Sequence, residues 1–190
     1  MINKRKFIST TIAAITYMAT NLRAGRFRTV NTERVTGIPD SWVDLKGEDV
    51  NKYAEFILDL NLKNITPRMV LEPHFKSRRG VVNDLPPKKT WRNIKETLKI
   101  IDCVCSETGF KIDKIISAYR SPEYNKAVRG SLYSYHMQNN AVDVIFKNAS
   151  AWKAKKVMCD YRDKMQKFKG GIGYYKSFTH IDTRGENADW

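Results

Sequence analysis

Apolar residues recur every three or four positions in three stretches of the chain, a spacing that predicts amphipathic helices. The first helix is predicted over residues 49–62 and the second over residues 88–108. Their apolar faces consist of Val50, Tyr53, Ala54, Ile57 and Leu58, and of Trp91, Ile94, Leu98, Ile101 and Cys105. Gly109 follows the second helix and is expected to end it, because glycine adopts the left-handed backbone of a helix C-cap without a steric penalty.

The third predicted helix begins after Ser150, whose residue type commonly caps helix N-termini. Its apolar seam consists of Ala154, Met158, Tyr161, Met165 and Phe168. Two short helical turns are predicted where a hydroxyl residue precedes proline, at Thr66 and at Ser121. Residues 25–45 and 77–87 show no periodicity and are predicted to be linker and loop.

The second half of the chain contains short segments that are typical of strands. Residues 140–146 alternate along an apolar run, and residues 114–119 are rich in strand-forming types. The segments GGIGYY and FTHID provide two further strands. Because helices come first and short strands gather later, the pattern predicts an α+β protein with a small, mostly antiparallel sheet packed with helices.

Composition and charge narrow the class of protein. The chain is 42% hydrophobic, which indicates a globular protein, and no apolar run reaches the roughly 18 residues of a membrane span. Its net charge is +14, of which +6 lies on residues 1–34 and +8 on the remainder. This charge favours an anionic partner such as nucleic acid, anionic lipid or the polymer of a cell wall. No base-reading helix or aromatic ribonucleoprotein motif is present, so specific nucleic-acid binding is not predicted.

The first 24 residues have the pattern of an export signal. A basic cluster, Lys4 to Lys6, precedes a moderately apolar stretch without charge, Phe7 to Leu22. The alternative is an ordinary basic amphipathic segment. We therefore expect an exported protein, periplasmic or associated with the cell wall, in which residues 25–87 form a partly helical N-terminal extension.

Polar residues interrupt two of the predicted strands. Asp143 lies within the apolar strand 140–146, and a carboxylate buried there requires a partner. His180 and Asp182 point to one side of the last strand, and His136 shortly precedes the first. Two histidines and a carboxylate are a suitable ligand set for a zinc ion with one open position. The alternative for His136 and Asp143 is a polar pair that satisfies itself.

Three ordered motifs, SAYRS, SxHxxxxAxD and GIGYY…FTHIDTRG, resemble the zinc D-alanyl-D-alanine carboxypeptidases and murein endopeptidases. That family shares its fold with the hedgehog signalling domain. The resemblance covers residues 90–190 and implies that His136, Asp143 and His180 bind one zinc ion. It also implies that Arg120 contacts the substrate carboxylate or the scissile carbonyl.

The chain departs from the family pattern at two places. Asn139 and Asn140 stand where glycine usually precedes Ala-x-Asp, and asparagine tolerates the left-handed backbone that a turn there requires. Relatives place an acid or histidine shortly before the last zinc histidine, whereas residues 174–178 contain neither. We therefore assign Asp182 as the general base. The alternatives are a carboxylate that orients a ligand histidine, or a substitute ligand.

Other residues near these motifs have less specific interpretations. Ser134 is predicted to contact the substrate or to form the turn, and Tyr174 to flank the substrate groove or to belong to the core. Arg184 either attracts an acidic substrate or is solvated. His74 lies outside the motifs and is interpreted as a structural or surface residue.

The sequence thus predicts a zinc peptidase domain over residues 88–190. Its expected substrates are peptidoglycan stem peptides or their crosslinks, cleaved by carboxypeptidase or endopeptidase action. One alternative is a zinc-containing wall-binding module of the same fold without catalysis. Another is a basic nucleic-acid-binding protein in which the histidine and aspartate pair is incidental.

Overall fold

A computed structural model describes residues 35–190, and its centre is a five-stranded sheet in the order β3-β4-β6-β5-β7. The strands are β3 (Ile112–Ser117), β4 (Ala141–Phe146), β5 (Gly171–Tyr174), β6 (Thr179–Asp182) and β7 (Ala188–Asp189). All neighbours pair antiparallel except β5 and β7, which pair parallel. Ahead of this sheet, β1 (Ser77–Arg78) and β2 (Val81–Val82) form a small hairpin.

Six α-helices accompany the sheet within residues 35–190. They are α1 (Asp40–Lys46), α2 (Asp49–Leu58), α3 (Pro67–Leu71), α4 (Ile94–Thr108), α5 (Pro122–Ala127) and α6 (Ala151–Cys159). Short 3-10 helices cover Glu72–Phe75, Lys88–Asn93 and Tyr135–Gln138. The predicted α+β class with a mostly antiparallel sheet is confirmed. No helix in this part of the chain has both the length and the apolar character that a membrane crossing requires.

The predicted helix ends are formed by local hydrogen bonds. The hydroxyls of Thr66, Ser121 and Ser150 each accept a hydrogen bond from the backbone N–H three residues further along. This contact satisfies a donor that the first helical turn leaves without a partner. Gly109 ends α4 with a left-handed backbone, at a φ of 71°.

Two predicted segments differ from the structure. Helix α1 begins inside the predicted linker 25–45 and ends one residue beyond it, and its Trp42 stacks on Phe75 with ring centroids 4.2 Å apart. The third predicted helix is too long, because α6 ends at Cys159 and one turn of π-helix follows. The wider turn shifts the helical register, so Met165, assigned to the apolar seam, is exposed.

One core unites the N-terminal extension with the sheet. Tyr53, Ile57 and Leu71 of the extension are buried in the same cluster as Leu98 of α4 and Ile181 of β6. The export signal predicted for residues 1–24 lies outside the described residues. The boundary predicted at residue 88 stays a prediction, and the segment ahead of it packs directly on the elements that follow.

His74 is fully buried in the 3-10 helix after α3, in contact distance of aromatic neighbours. Its ring centroid lies 6.0 Å from that of Tyr53 and 6.4 Å from that of Tyr119. Burial, only partly offset by the Leu71 backbone, lowers the pKa of His74 to about 3. The structural interpretation of this histidine therefore agrees with its position, and the ring is neutral in the folded protein.

We expect His74 to make the protein less stable in acid. An unfolded histidine has a pKa near 6.5, so the unfolded chain takes up this proton first and stability falls as the pH drops from about 6.5 towards about 3. At about 1.4 kcal/mol per pH unit, the free energy of unfolding of the wild type should fall by about 2 kcal/mol relative to His74→Leu between about pH 7 and about pH 5. Urea unfolding of both proteins at the two pH values measures this difference. Parallel pH profiles would show that His74 is not the titrating group.

Candidate metal centre

The pairing of β4 with β6 brings together two of the three predicted ligands. Asp143 stands directly opposite His180 in the antiparallel register, so both side chains leave the same face of the sheet. His136 lies in the 3-10 turn immediately before β4. Asn139 ends that turn with a left-handed backbone, at a φ of 55°, so the asparagine pair ahead of Ala141 forms the left-handed turn expected there.

The three side chains converge on one point. His180 Nδ1 lies 2.8 Å from Asp143 Oδ1. His136 Nε2 lies 3.2 Å from the same oxygen and 3.2 Å from His180 Nδ1. All three residues are buried, and one ligand atom from each lies within 4.8 Å of the others. A single cation between these atoms would contact all three of them at once.

The donor set fits zinc. Two imidazole nitrogens and one carboxylate oxygen are ligands that catalytic zinc sites use, with a further position left for water or substrate. Burial keeps competing water away, and each atom that faces the centre is a lone-pair donor when its residue is in the appropriate protonation state. The residues present therefore suit the metal that the sequence motifs imply.

Hydrogen bonds behind the histidines fix which nitrogen of each ring faces the centre. The backbone carbonyl of Ala118 lies 2.6 Å from His136 Nδ1, which leaves Nε2 for the metal. Asp182 Oδ2 lies 3.0 Å from His180 Nε2, which leaves Nδ1. Such outer partners set the tautomer of a ligand histidine and hold its ring in place.

Electrostatics favour the metal-binding form of His136 and Asp143, whereas they favour the protonated form of His180. Burial lowers the pKa of His136, despite the opposing effect of Asp143, and favours its neutral form. Burial alone would raise the pKa of Asp143, but His136 and His180 hold it well below its usual range, so it is an anion. Burial alone would lower the pKa of His180, whereas its hydrogen bonds to Asp143 and Asp182 raise it. Asp143 is therefore an anion that lies close to one nitrogen of each histidine and is also paired with Arg120.

Asp182 lies behind His180 and outside the cavity described below. Its Oδ1 accepts hydrogen bonds from Gly171 N at 3.0 Å and from Arg184 Nε at 2.8 Å. Its Oδ2 accepts from Arg184 Nη2 at 2.6 Å and contacts His180. Burial would raise the pKa of Asp182, but Arg184 and His180 lower it. This geometry favours the alternative in which Asp182 orients a ligand histidine over its assignment as the general base.

Arg120 extends from the loop after β3 to the three predicted ligands. Its Nη2 donates a hydrogen bond to Asp143 Oδ2 at 2.5 Å, and its Nε donates to Ser117 Oγ at 2.7 Å. The side chain is 17% exposed and lines the open side of the centre. It is therefore held next to the ligands while part of the guanidinium faces the cavity.

A cavity of about 640 Å³ opens over the three ligands. Its lining includes three arginines, namely Arg120, Arg129 and Arg184, and five aromatic residues, namely Tyr133, Tyr135, Tyr175, Phe178 and Trp190. Among the described residues of this lining, Asp143 is the only acid. The cavity is thus a cationic, partly aromatic cleft with the metal ligands at its base.

The two predicted substrate contacts other than Arg120 lie in different places. Ser134 lines the cavity, next to the turn that contains His136. Tyr174 is absent from the lining and packs edge-on against Trp152, with ring centroids 5.9 Å apart. Its neighbour Tyr175 lines the cavity instead. Strand β5 ends at Tyr174, one residue before the end of the predicted strand segment GGIGYY.

Trp190 is a cavity residue that the sequence analysis missed. Its ring centroid lies 5.1 Å from that of His180, and its Nε1 donates a hydrogen bond to the Tyr175 hydroxyl at 2.9 Å. Strand β7 places it there through backbone bonds to β5, including Tyr174 N to Trp190 O at 2.7 Å. A strand of two residues is too short to show alternation, so no pattern in the sequence indicates that Trp190 lines the cavity. Gly173 provides the space, since a Cβ there would lie 2.6 Å from the indole.

Comparison with protein-family models finds one match, to the family described as Peptidase M15, over residues 64–182. The matched region covers more than half of the chain and contains the three converging ligands and Arg120. It also begins well ahead of the residue 88 boundary that the sequence motifs suggested. No curated protein and no solved structure matches the chain.

Proposed function

The chain belongs to the peptidase M15 family and is a zinc metallopeptidase, and on this premise we propose that it cleaves peptide bonds in the stem peptides or crosslinks of peptidoglycan. We further propose that His136, Asp143 and His180 hold the zinc ion, since these three residues converge at the base of the cavity. The main support for this class of substrate is the positive charge of the cavity above the three residues.

Two of the three arginines in that cavity are engaged by acids of the protein. Arg120 pairs with Asp143, and Arg184 pairs with Asp182. Arg129 has no ion pair among the described residues and is exposed at the cavity. An incoming carboxylate would find a cation there and only one competing acid, the metal ligand Asp143. Peptidoglycan stem peptides carry such carboxylates, and the net charge of +8 on residues 35–190 acts in the same direction.

The side chains around the centre divide the work of hydrolysis. A zinc ion held by His136, Asp143 and His180 would supply Lewis acidity toward the scissile carbonyl and would lower the pKa of bound water. Arg120 orients the substrate carbonyl or carboxylate and stabilises the negative charge that develops on the carbonyl oxygen. Asp182 acts through His180, because both of its oxygens are occupied and it does not line the cavity. The aromatic residues exclude water from the bound peptide.

The substrate proposed lies outside the cytoplasmic membrane. The proposal therefore includes export to the periplasm or the cell wall, for which the pattern of residues 1–24 is the support. Cell fractionation of the full chain and of a variant with Lys4, Arg5 and Lys6 replaced by glutamine tests this part separately.

We expect the zinc-loaded protein to release peptides from isolated sacculi or to split crosslinked muropeptides. A chelator should abolish the release, and added zinc should restore it, because an open three-ligand site loses its ion to a strong competitor. Mass spectrometry of the products distinguishes loss of a terminal residue from cleavage of a crosslink. The His180→Ala variant, treated identically, is the control for contaminating hydrolases.

Absence of release across a range of pH and zinc concentrations would contradict the proposed substrate. Tight binding to sacculi without release would instead support a wall-binding role. Cleavage of other peptides with sacculi left intact would keep the peptidase activity and reject peptidoglycan as the substrate.

A further inference from the structure

Asn83 contacts the backbone on both sides of Arg120, although it lies far from the three motifs. Its side chain is 1% exposed, in the segment between β2 and the 3-10 helix Lys88–Asn93. Its Oδ1 accepts a hydrogen bond from Ser121 N at 3.0 Å, and its Nδ2 donates to Tyr119 O at 2.9 Å. The same Nδ2 also donates to Pro73 O at 3.3 Å. The residues immediately before and after Arg120 are thus tied to one amide.

The segment that Asn83 contacts lies outside regular secondary structure. Tyr119 and Arg120 lie between the end of β3 and the start of α5, where the backbone is irregular. Arg120 N donates to His136 O at 3.1 Å, which links this segment to the turn of a zinc ligand. Buried backbone groups outside regular structure need partners, and here Asn83 provides two of them.

Asn83 is itself held firmly. Its backbone N–H donates to Lys76 O at 2.9 Å, and its carbonyl accepts a hydrogen bond from Lys46 Nζ at 2.7 Å. Both the N–H and the carbonyl of the Asn83 backbone are therefore hydrogen-bonded. These two bonds hold the residue in place independently of the Arg120 loop. A fixed amide on a buried backbone can therefore set the position of the loop it binds.

We propose that Asn83 is a positioning residue for Arg120. It fixes the backbone from which the guanidinium reaches both Asp143 Oδ2 and the cavity. The N-terminal extension would then position a residue of the site, in addition to packing on the core. The catalytic meaning of the inference rests on the proposed function of Arg120.

A double-mutant cycle tests this inference. Asn83→Ala is expected to lower kcat/KM by about tenfold in the wild-type background, because a misplaced group in an active site loses its effect on the reaction. In the Arg120→Ala background the same substitution should change kcat/KM by less than about twofold, since the residue through which it acts is gone. The loss should divide between kcat and KM in the same proportion for Asn83→Ala and for Arg120→Ala.

Asn64→Ala is the matched control. Asn64 also ties the extension to a later element, with Nδ2 donating to Asp102 O at 3.1 Å and to Ser106 Oγ at 2.9 Å on α4. Its loss should lower stability and leave kcat/KM unchanged in both backgrounds. If Asn83→Ala does not fold, Asn83→Asp replaces it in the cycle, because it keeps the acceptor for Ser121 N and removes both donated bonds.

Equal losses from Asn83→Ala in both backgrounds would overturn the inference, as would unchanged hydrolysis in Arg120→Ala. A crystal structure of the Asn83 variant gives a readout independent of activity. The inference expects the guanidinium of Arg120 to leave Asp143, and a guanidinium in its original place would reject it. If the wild type hydrolyses no peptidoglycan peptide, the proposed function fails, and the crystal structure still decides the role of Asn83.

Discussion

Replacing His136 or His180 with alanine is expected to lower bound zinc from one ion per chain to well below one. Each substitution leaves one imidazole and one carboxylate at the centre, and two ligands hold zinc poorly against water and chelating buffers. The fold should survive. The strands around the site carry their own buried apolar residues, among them Val142, Val144 and Ile181, so the metal is not needed to form the core.

The third described histidine provides the control for this experiment. His74 is as buried as the ligands but lies outside the group that converges on the metal position. His74→Leu should retain one zinc per chain, as measured by elemental analysis after dialysis. Asp143→Asn keeps the shape of the site and removes its charge, so it should weaken zinc binding and leave the fold intact. One zinc per chain in both histidine variants would refute the assignment of the ligands.

Asp182→Asn is expected to lower zinc affinity and to leave most of the turnover at saturating zinc. Loss of the carboxylate behind His180 should weaken zinc binding by about 10–100-fold, the range typical of outer partners of metal ligands. At saturating zinc most of the turnover should return, because Asp182 does not line the cavity. Zinc titrations with a competing chelator and hydrolysis at several zinc concentrations measure the two effects separately.

The same experiment tests the competing assignment of Asp182. A general base would leave zinc affinity unchanged and lose about 100-fold or more in turnover at every zinc concentration. Asp163→Asn is the matched control, since Asp163 also pairs with an arginine, accepting from Arg162 Nε at 2.7 Å and Nη2 at 2.9 Å, away from the cavity. It should change neither zinc affinity nor turnover.

The three converging residues could be singled out from the sequence because each of them stands out from its immediate neighbours. Asp143 interrupts an apolar strand, and His180 and Asp182 alternate on another, so each stands out from its neighbours. Asp143 and His180 come together because the register of β4 and β6 sets them opposite each other. This long-range pairing cannot be read from the sequence of either strand. The family motifs supplied what alternation could not, namely that the two strands carry parts of one site.

The remaining parts of the site depend on contacts that leave no periodic signal. Trp190 is positioned by a strand of two residues, too short to alternate. Asn83 lies in a segment predicted to be loop, and its importance arises from three bonds to distant backbone. The position of Asp182 behind His180 is decided by Arg184, whose side chain turns back on the same strand end. Side-chain direction of this kind follows from packing rather than from the order of residue types.

The position of the metal is the most direct test of this account. Anomalous diffraction at the zinc edge, from crystals of the zinc-loaded protein, locates the ion independently of any activity. The account predicts one strong peak at about 2.0–2.2 Å from His136 Nε2, His180 Nδ1 and an oxygen of Asp143. A zinc peak elsewhere in the protein, or no peak between these three residues at full zinc loading, would contradict it.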